Sequence, residues 1–240
     1  MALEYRNELK YVVSAQQIEI LRNRLRFLMM LDEHAGKKGK YSIRSVYFDD
    51  YRDTCFAENE DGTSPREKFR IRIYNAGGEE IHLELKRKEG GKTHKDSCRL
   101  AMHQCQAFLE GKGLRGKGDY PPVLKKFRFK YESELYRPKV IVEYEREPYV
   151  CKNGNVRITF DTCIRSSNRI GCFFDKQLPA RPVMQPGYHL MEVKYDEYLP
   201  DFIYNSMQIG NLRQETFSKY YLCRRYSMGG VRGNGFSRYT

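Results

Sequence analysis

A glutamate stands two residues ahead of a lysine at three places that read as β-strands: Glu8/Lys10, Glu84/Lys86 and Glu192/Lys194. Arg70 and Arg72 keep the same spacing, as do Glu143 and Glu145, and as do Arg157, Thr159 and Asp161 in series. In an extended strand, residues two apart share a face. The alternate positions are apolar: Phe69, Ile71 and Ile73 oppose the arginines, and Leu83 and Leu85 oppose Glu84, Lys86 and Lys88. Val156, Ile158 and Phe160 oppose Arg157, and Met191 and Val193 flank Glu192. Arginine grips phosphate oxygens through its fork, and lysine does so as a compact charge. Carboxylates among them suit Mg²⁺ or Mn²⁺, which bridge to phosphates. Cations and a metal that neutralise a transferring group are the equipment of phosphoryl transfer.

These groups act together only if several strands bring them to one place. Leu3 to Val13 and Tyr41 to Phe48 have strand character, and Lys68 to Tyr74 and Glu80 to Lys88 alternate. A further strand is predicted after Thr93, and others over Lys139 to Arg146, Val156 to Phe160 and Tyr188 to Lys194. Gly77-Gly78 predicts a hairpin through glycines at positive φ, and Asn153-Gly154-Asn155 predicts a second turn. Ser14 with Gln17 reads as a capping box ahead of a helix carrying Ile18, Leu21, Leu25 and Leu28, predicted to stop near Gly36. Further helices are predicted over Met102 to Leu109, from Pro121-Pro122 through Tyr131, over Pro200 to Ile209, and over Phe217 to Met228. The fold class is α+β with a large antiparallel sheet. A half-exposed sheet with a solvated face would give the same alternation. Here the charged faces mix cations with carboxylates, and helices are at hand for the apolar faces. Curled with the charges inward, the sheet becomes an antiparallel β-barrel with helices packed outside, able to enclose a polar ligand. A single domain over 1–228 is the simplest division, with a glycine-rich, unstructured tail over 229–240.

Composition narrows the chemistry. The 240 residues carry 43 Lys and Arg against 31 Asp and Glu, a net charge of +12, which points to an anionic partner. No apolar run approaches the roughly 20 residues of a membrane span. The first residues lack the apolar stretch of a secretory signal, and seven cysteines without a Cys-x-x-Cys pair fit reduced thiols. Both favour the cytoplasm. There is no Walker loop and no kinase signature, and the five histidines show no metal spacing. His82 shares a face with Glu84 and Lys86, although a solvated histidine is the commoner outcome. The basic loop Gly111 to Gly118 lacks the strand-to-helix setting of a phosphate cradle. A nucleic-acid binder would carry these charges on an outer surface; the inward parity argues against it.

Eight segments in order resemble one family. They are Arg6-Asn7-Glu8-Leu9-Lys10-Tyr11, Ser45 to Asp49, Phe69 to Tyr74, Glu84 to Lys88, Tyr144 to Arg146, Val156 to Asp161, Met191 to Lys194 and Phe217 to Tyr220. The chain resembles the catalytic domain of the vacuolar transporter chaperone (VTC) complex and its bacterial relatives, the polyphosphate polymerases, within the triphosphate tunnel metalloenzymes. The resemblance implies a tunnel barrel and transfer of the ATP γ-phosphate to a growing polyphosphate chain, with Mn²⁺ or Mg²⁺. It implies phosphate contacts from Lys10, Arg70, Arg72, Lys86, Arg146, Arg157 and Lys219, with Lys194 beside Glu192 in its motif. Lys95 and Arg99 lie where the family carries further basic tunnel residues. Glu192 would be the main metal ligand, and Glu8 and Glu143 or Glu145 would be metal or orienting candidates. ATP and inorganic polyphosphate are the implied partners. Unlike the eukaryotic members, this sequence shows no inositol-phosphate-sensing domain and no membrane segment, so any membrane-protein partner would be encoded elsewhere. Two neighbouring readings share the tunnel: hydrolysis of triphosphate or a nucleoside triphosphate, and a non-catalytic polyphosphate-binding module.

Overall fold

A computed structural model describes residues 5–116, 118–210 and 212–229. The strands are β1 (Asn7–Ser14), β2 (Met30–Leu31), β3 (Tyr41–Asp49), β4 (Arg66–Tyr74), β5 (His82–Glu89), β6 (Lys92–Arg99), β7 (Arg137–Cys151), β8 (Val156–Ser167), β9 (Arg181–Pro182) and β10 (Tyr188–Tyr195). The helices are α1 (Ala15–Leu25), α2 (Thr54–Glu60), α3 (Met102–Leu109), α4 (Pro122–Ser133), α5 (Asp201–Ser206) and α6 (Lys219–Ser227). The expectation of an unstructured tail falls, from residue 230 on, outside the described residues.

Eight strands form one antiparallel path, β1-β10-β8-β7-β3-β4-β5-β6, with β2 added to β7 and β9 to β8. The path curls until its edges touch. Arg6, just ahead of β1, and Thr93 of β6 exchange backbone hydrogen bonds of 2.9 and 3.0 Å. The apolar cores lie outside this barrel. Phe69, Ile71, Leu83 and Leu85 pack beneath α3 and α4, through Phe108, Leu124 and Phe127. On the other side Val13, Ile158, Phe160, Met191 and Val193 pack beneath α1 and α5, through Leu21, Leu25 and Ile203. Burying these faces under helices leaves the opposite, charged faces to look into the barrel.

Local details depart from the sequence reading in three places. The capping box forms, with Gln17 N–H donating to Ser14 Oγ and Ser14 N–H donating to Gln17 Oε1. The helix it starts nevertheless ends at Leu25, because Met30 and Leu31 leave to pair with Val150 and Tyr149 of β7. Between β4 and β5 the left-handed residues are Asn75 and Ala76, with φ of 50° and 52°, not Gly77 and Gly78. A Cβ at Gly78 would meet only the flexible end of the exposed Met102 side chain. Helix α2 has no periodic apolar stripe to announce it. It is held from outside: the buried Asp49 carboxylate accepts from the N–H groups of Cys55 and Phe56 at 2.9 and 3.0 Å, and from Tyr220 Oη at 2.6 Å.

Candidate active site

The barrel encloses a cavity of about 590 Å³, lined among the described residues by thirteen Lys and Arg side chains and only three carboxylates, Glu8, Glu192 and Glu215. Such an excess inside a low-dielectric wall is costly unless an anion relieves it.

Strands β1 and β10 supply a checkerboard. Their register sets Glu8 opposite Lys194 and Lys10 opposite Glu192. Each lysine reaches both carboxylates: Lys10 lies 3.7 Å from Glu8 and 3.8 Å from Glu192, and Lys194 lies 3.4 and 4.0 Å from them. Lys86 of β5 crosses the bore to Glu8 at 2.8 Å. Burial opposes ionisation of Glu8, but Lys86, Lys10 and Lys194 overcome it and hold its pKa well below the usual carboxylate range. Burial likewise opposes the Glu192 charge, and Lys219, Lys10, Lys194 and Arg146 more than offset it.

A second layer lies deeper. The register of β7 and β8 places Arg146 opposite Asp161. Arg146 donates twice to that carboxylate at 2.7 Å, and Lys219, from the first turn of α6, reaches it at 2.6 Å. Lys219 also donates to Glu192 at 2.7 Å, which links the layers. Asp161 is fully buried. Burial disfavours its charge, yet Arg146 and Lys219 keep its pKa below the usual aspartate value.

The opposite wall is β4 and β5. Arg70 donates to Glu84 at 2.7 Å and to Tyr47 Oη at 2.8 Å. Arg72 and Lys95 approach the same Glu84 at 3.8 and 3.4 Å. Arg157 of β8 reaches Asp32 and Tyr41 Oη, both at 3.1 Å. Two buried polar atoms on the β8 wall, Arg157 Nε and Thr159 Oγ1, have no hydrogen-bond partner among the described residues. An oxygen of an anion in the bore would satisfy both.

The barrel thus gathers Lys10, Arg70, Arg72, Lys86, Lys95, Arg146, Arg157, Lys194, Lys219, Glu8 and Glu192 along one bore. It does not bring Arg99, Glu143 or Glu145 there. Arg99 is exposed at the far end of β6 and donates to the Glu79 carbonyl at 2.6 Å. Glu143 and Glu145 sit on the outer face of β7, because Tyr144 and Arg146 line the bore and a strand alternates. Glu143 pairs there with the buried Arg44 at 2.7 Å and with Arg165, and Glu145 pairs with Lys40 at 2.6 Å. His82 packs its ring against Tyr74 and does not line the cavity. Lys68, Arg66 and Arg6 line it too. Lys68 and Arg66 continue the parity of Arg70 and Arg72, which was the signal that marked them.

Burial first, and then the charge on Arg66, push Lys68 down to about 7. An arriving phosphate favours the ammonium form. Below pH 7 Lys68 is already charged, so binding needs no proton there. Lys86 lines the same bore and burial brings it down to about 7 as well, so above pH 7 tripolyphosphate binding is expected to draw in up to about two protons per site. Calorimetry in buffers of different ionisation enthalpy reads that uptake. Lys68→Met should lose about half of it, and equal uptake in that variant would assign the protons elsewhere.

A divalent cation fits this donor set in one way. Glu8 and Glu192 are ionised oxygen ligands. Among the described residues no cluster of three or more His, Cys, Asp or Glu side chains could hold a metal alone. Magnesium commonly binds through one or two carboxylates plus substrate phosphates and water, so these two suffice only with a phosphate ligand present.

The family model described as the VTC domain matches residues 5–227. No curated protein matches the chain. Among solved structures, a candidate adenylate cyclase from Bacillus halodurans superposes with a TM-score of 0.50 at 13% identity, covering 100% of this chain and 99% of that one. A protein from Pyrococcus horikoshii gives 0.48 at 16% identity, covering 93% of this chain and 99% of its own. A candidate adenylyl cyclase from Hippeastrum, with dominant triphosphatase activity, gives 0.45 at 13% identity over 80% of each chain. The fold is that of the triphosphate tunnel proteins.

Proposed function

This chain belongs to the VTC domain family, and from that premise we propose that it is an ATP-dependent polyphosphate polymerase. Family and fold support an activity on triphosphates or polyphosphates. The observation that carries the finer reading is the state of Glu8 and Glu192, the bore carboxylates set among the lysines of β1 and β10. Hydrolysis needs a base near the working pH to activate water. Glu8 and Glu192 are each surrounded by lysines and held far below that range, so neither is that base. Lys68 and Lys86, both brought to about 7 by burial, are the bore groups in that range, and a bound phosphate keeps them in the ammonium form, which cannot accept a proton. A terminal phosphate is already an anionic nucleophile and needs none.

In this reading the triphosphate of ATP lies along the bore. Arg70, Arg72 and Lys86 neutralise its oxygens, and Lys10, Arg146 and Lys219 align the acceptor phosphate. The acceptor oxygen attacks the γ-phosphorus, the bond to the β-phosphate oxygen breaks, and ADP leaves with the bonding pair. Glu192 and Glu8 would hold a divalent cation, which would supply stabilisation of the phosphate charge. The walls exclude water from the attacking side and position the two anions in line. Arg157 Nε and Thr159 Oγ1 gain the partners they lack.

Incubation of the protein with γ-labelled ATP and Mn²⁺ or Mg²⁺, with products sized, tests this. Label in a polyphosphate ladder is expected. Label only in orthophosphate would make the protein a tunnel triphosphatase, and no turnover with tight polyphosphate binding would make it a binding module. Arg70→Ala removes one charge-assisted contact, so tripolyphosphate affinity should fall by ~1.5–3 kcal/mol. Titration calorimetry measures it; unchanged affinity would take Arg70 off the phosphate path.

A further inference from the structure

Residues 26–40, between α1 and β3, carry an exposed patch of unusual make-up. Phe27 and Met30 are 77% and 75% exposed, and Leu28 and Leu31 beside them 38% and 47%. Side chains at such exposure stand out from the surface. The patch is nonetheless built on fixed backbone. Met30 and Leu31 pair with β7, Asp32 N–H donates to the Pro148 carbonyl at 3.0 Å, and the Asp32 carboxylate receives His34 N–H at 2.9 Å. Cations surround it. The Arg26 guanidinium lies 4.7 Å from the centre of the Phe27 ring. Lys37 and Lys38 are exposed in the same segment. Two of the nearby carboxylates are already engaged: Asp32 with Arg157 at 3.1 Å, and Glu145 with Lys40 at 2.6 Å. Glu33 is the one exposed acid within the segment.

From this arrangement we infer that residues 26–40 form a docking surface for an anionic lipid bilayer. Protruding apolar side chains enter the headgroup boundary, while flanking Arg and Lys meet anionic headgroups. Four apolar residues are too few for the core of a stable protein interface, which takes ~800 Å² from each partner. They are enough, with three cations, for reversible attachment to a membrane surface. Among the described residues no helix is long and apolar enough to cross a membrane, and side chains of this patch reach only the headgroup boundary. It stands on the outer surface and does not depend on the reaction in the bore.

The sequence contains no tryptophan, so Phe27→Trp installs a single reporter. On vesicles of phosphatidylcholine mixed with phosphatidylserine its emission should shift to the blue and be quenched by brominated acyl chains. With phosphatidylcholine alone the shift should be weak. Co-sedimentation with the mixed vesicles should fall about ten-fold for the double variant Phe27→Ser, Met30→Ser, and similarly for Lys37→Glu, Lys38→Glu. Circular dichroism and the thermal midpoint should match the parent. No spectral shift would overturn the proposal, as would sedimentation that both double variants leave unchanged. A self-associated protein that Phe27→Ser renders monomeric, with no vesicle binding, would also overturn it and assign the patch to a second copy.

Discussion

Asp161→Ala is expected to cost about 3–5 kcal/mol of folding stability, the usual penalty for stripping one partner from a buried ion network. Arg146 donates to Asp161 through two bonds of 2.7 Å, and Lys219 approaches it at 2.6 Å. Without that carboxylate both cations are left to Glu192, which Arg146 already approaches at 3.3 Å and Lys219 at 2.7 Å. The bore would then hold one more uncompensated positive charge where water is scarce. That loss is a large share of a typical domain's stability. Urea unfolding with an unchanged m-value measures it. Tripolyphosphate should restore much of the loss, because phosphate oxygens can stand in for the missing carboxylate. A loss under 1 kcal/mol would mean that Arg146 and Lys219 are solvated and that the deep layer is not a closed network.

Glu192→Gln should split two properties that usually move together. Turnover of ATP with a divalent cation is expected to fall about 100-fold or more, since charge stabilisation by a bound metal supplies several kcal/mol to such reactions. Metal-free binding of tripolyphosphate should hold or tighten. The substitution removes a negative charge that Lys219, Lys10 and Lys194 now share, so more of their charge reaches the ligand. A carboxylate that serves only as a structural counter-ion would not give this opposition. Calorimetry without metal and turnover with metal, on the same preparation, read the two halves. Parallel loss of both would mark Glu192 as a scaffold residue, and loss of neither would remove it from the site.

Much of the bore was legible because strand parity is a strict rule. The pairs Glu8/Lys10 and Glu192/Lys194 needed only the two-residue repeat and an apolar opposite face. What parity could not supply was register. That Lys10 faces Glu192 while Glu8 faces Lys194 follows from how β1 pairs with β10. That Asp161 is the counter-ion of Arg146 follows from β7 against β8. The same rule exposes the misplacement of Glu145: it is adjacent to Arg146, so the two cannot share a face, and Arg146 points inward. A charged face on a strand does not say which side is the bore, and β7 carries charges on both. Helix α2 was invisible for a different reason. Its anchor, Asp49, precedes it at the end of β3 and is fixed in turn by Tyr220 from α6. No local pattern over Thr54–Glu60 records that contact. The early end of α1 is similar, since the apolar stripe continued to Leu28 but pairing with β7 took the chain away.

The most direct test of the account is an experimental structure of the protein with tripolyphosphate and Mn²⁺. The account predicts a phosphate chain along the bore, with oxygens within hydrogen-bond reach of Arg70, Arg72, Lys86 and Arg157 Nε, and with manganese on Glu192. Phosphates confined to the outer surface, with the checkerboard of Glu8, Lys10, Glu192 and Lys194 undisturbed, would contradict it.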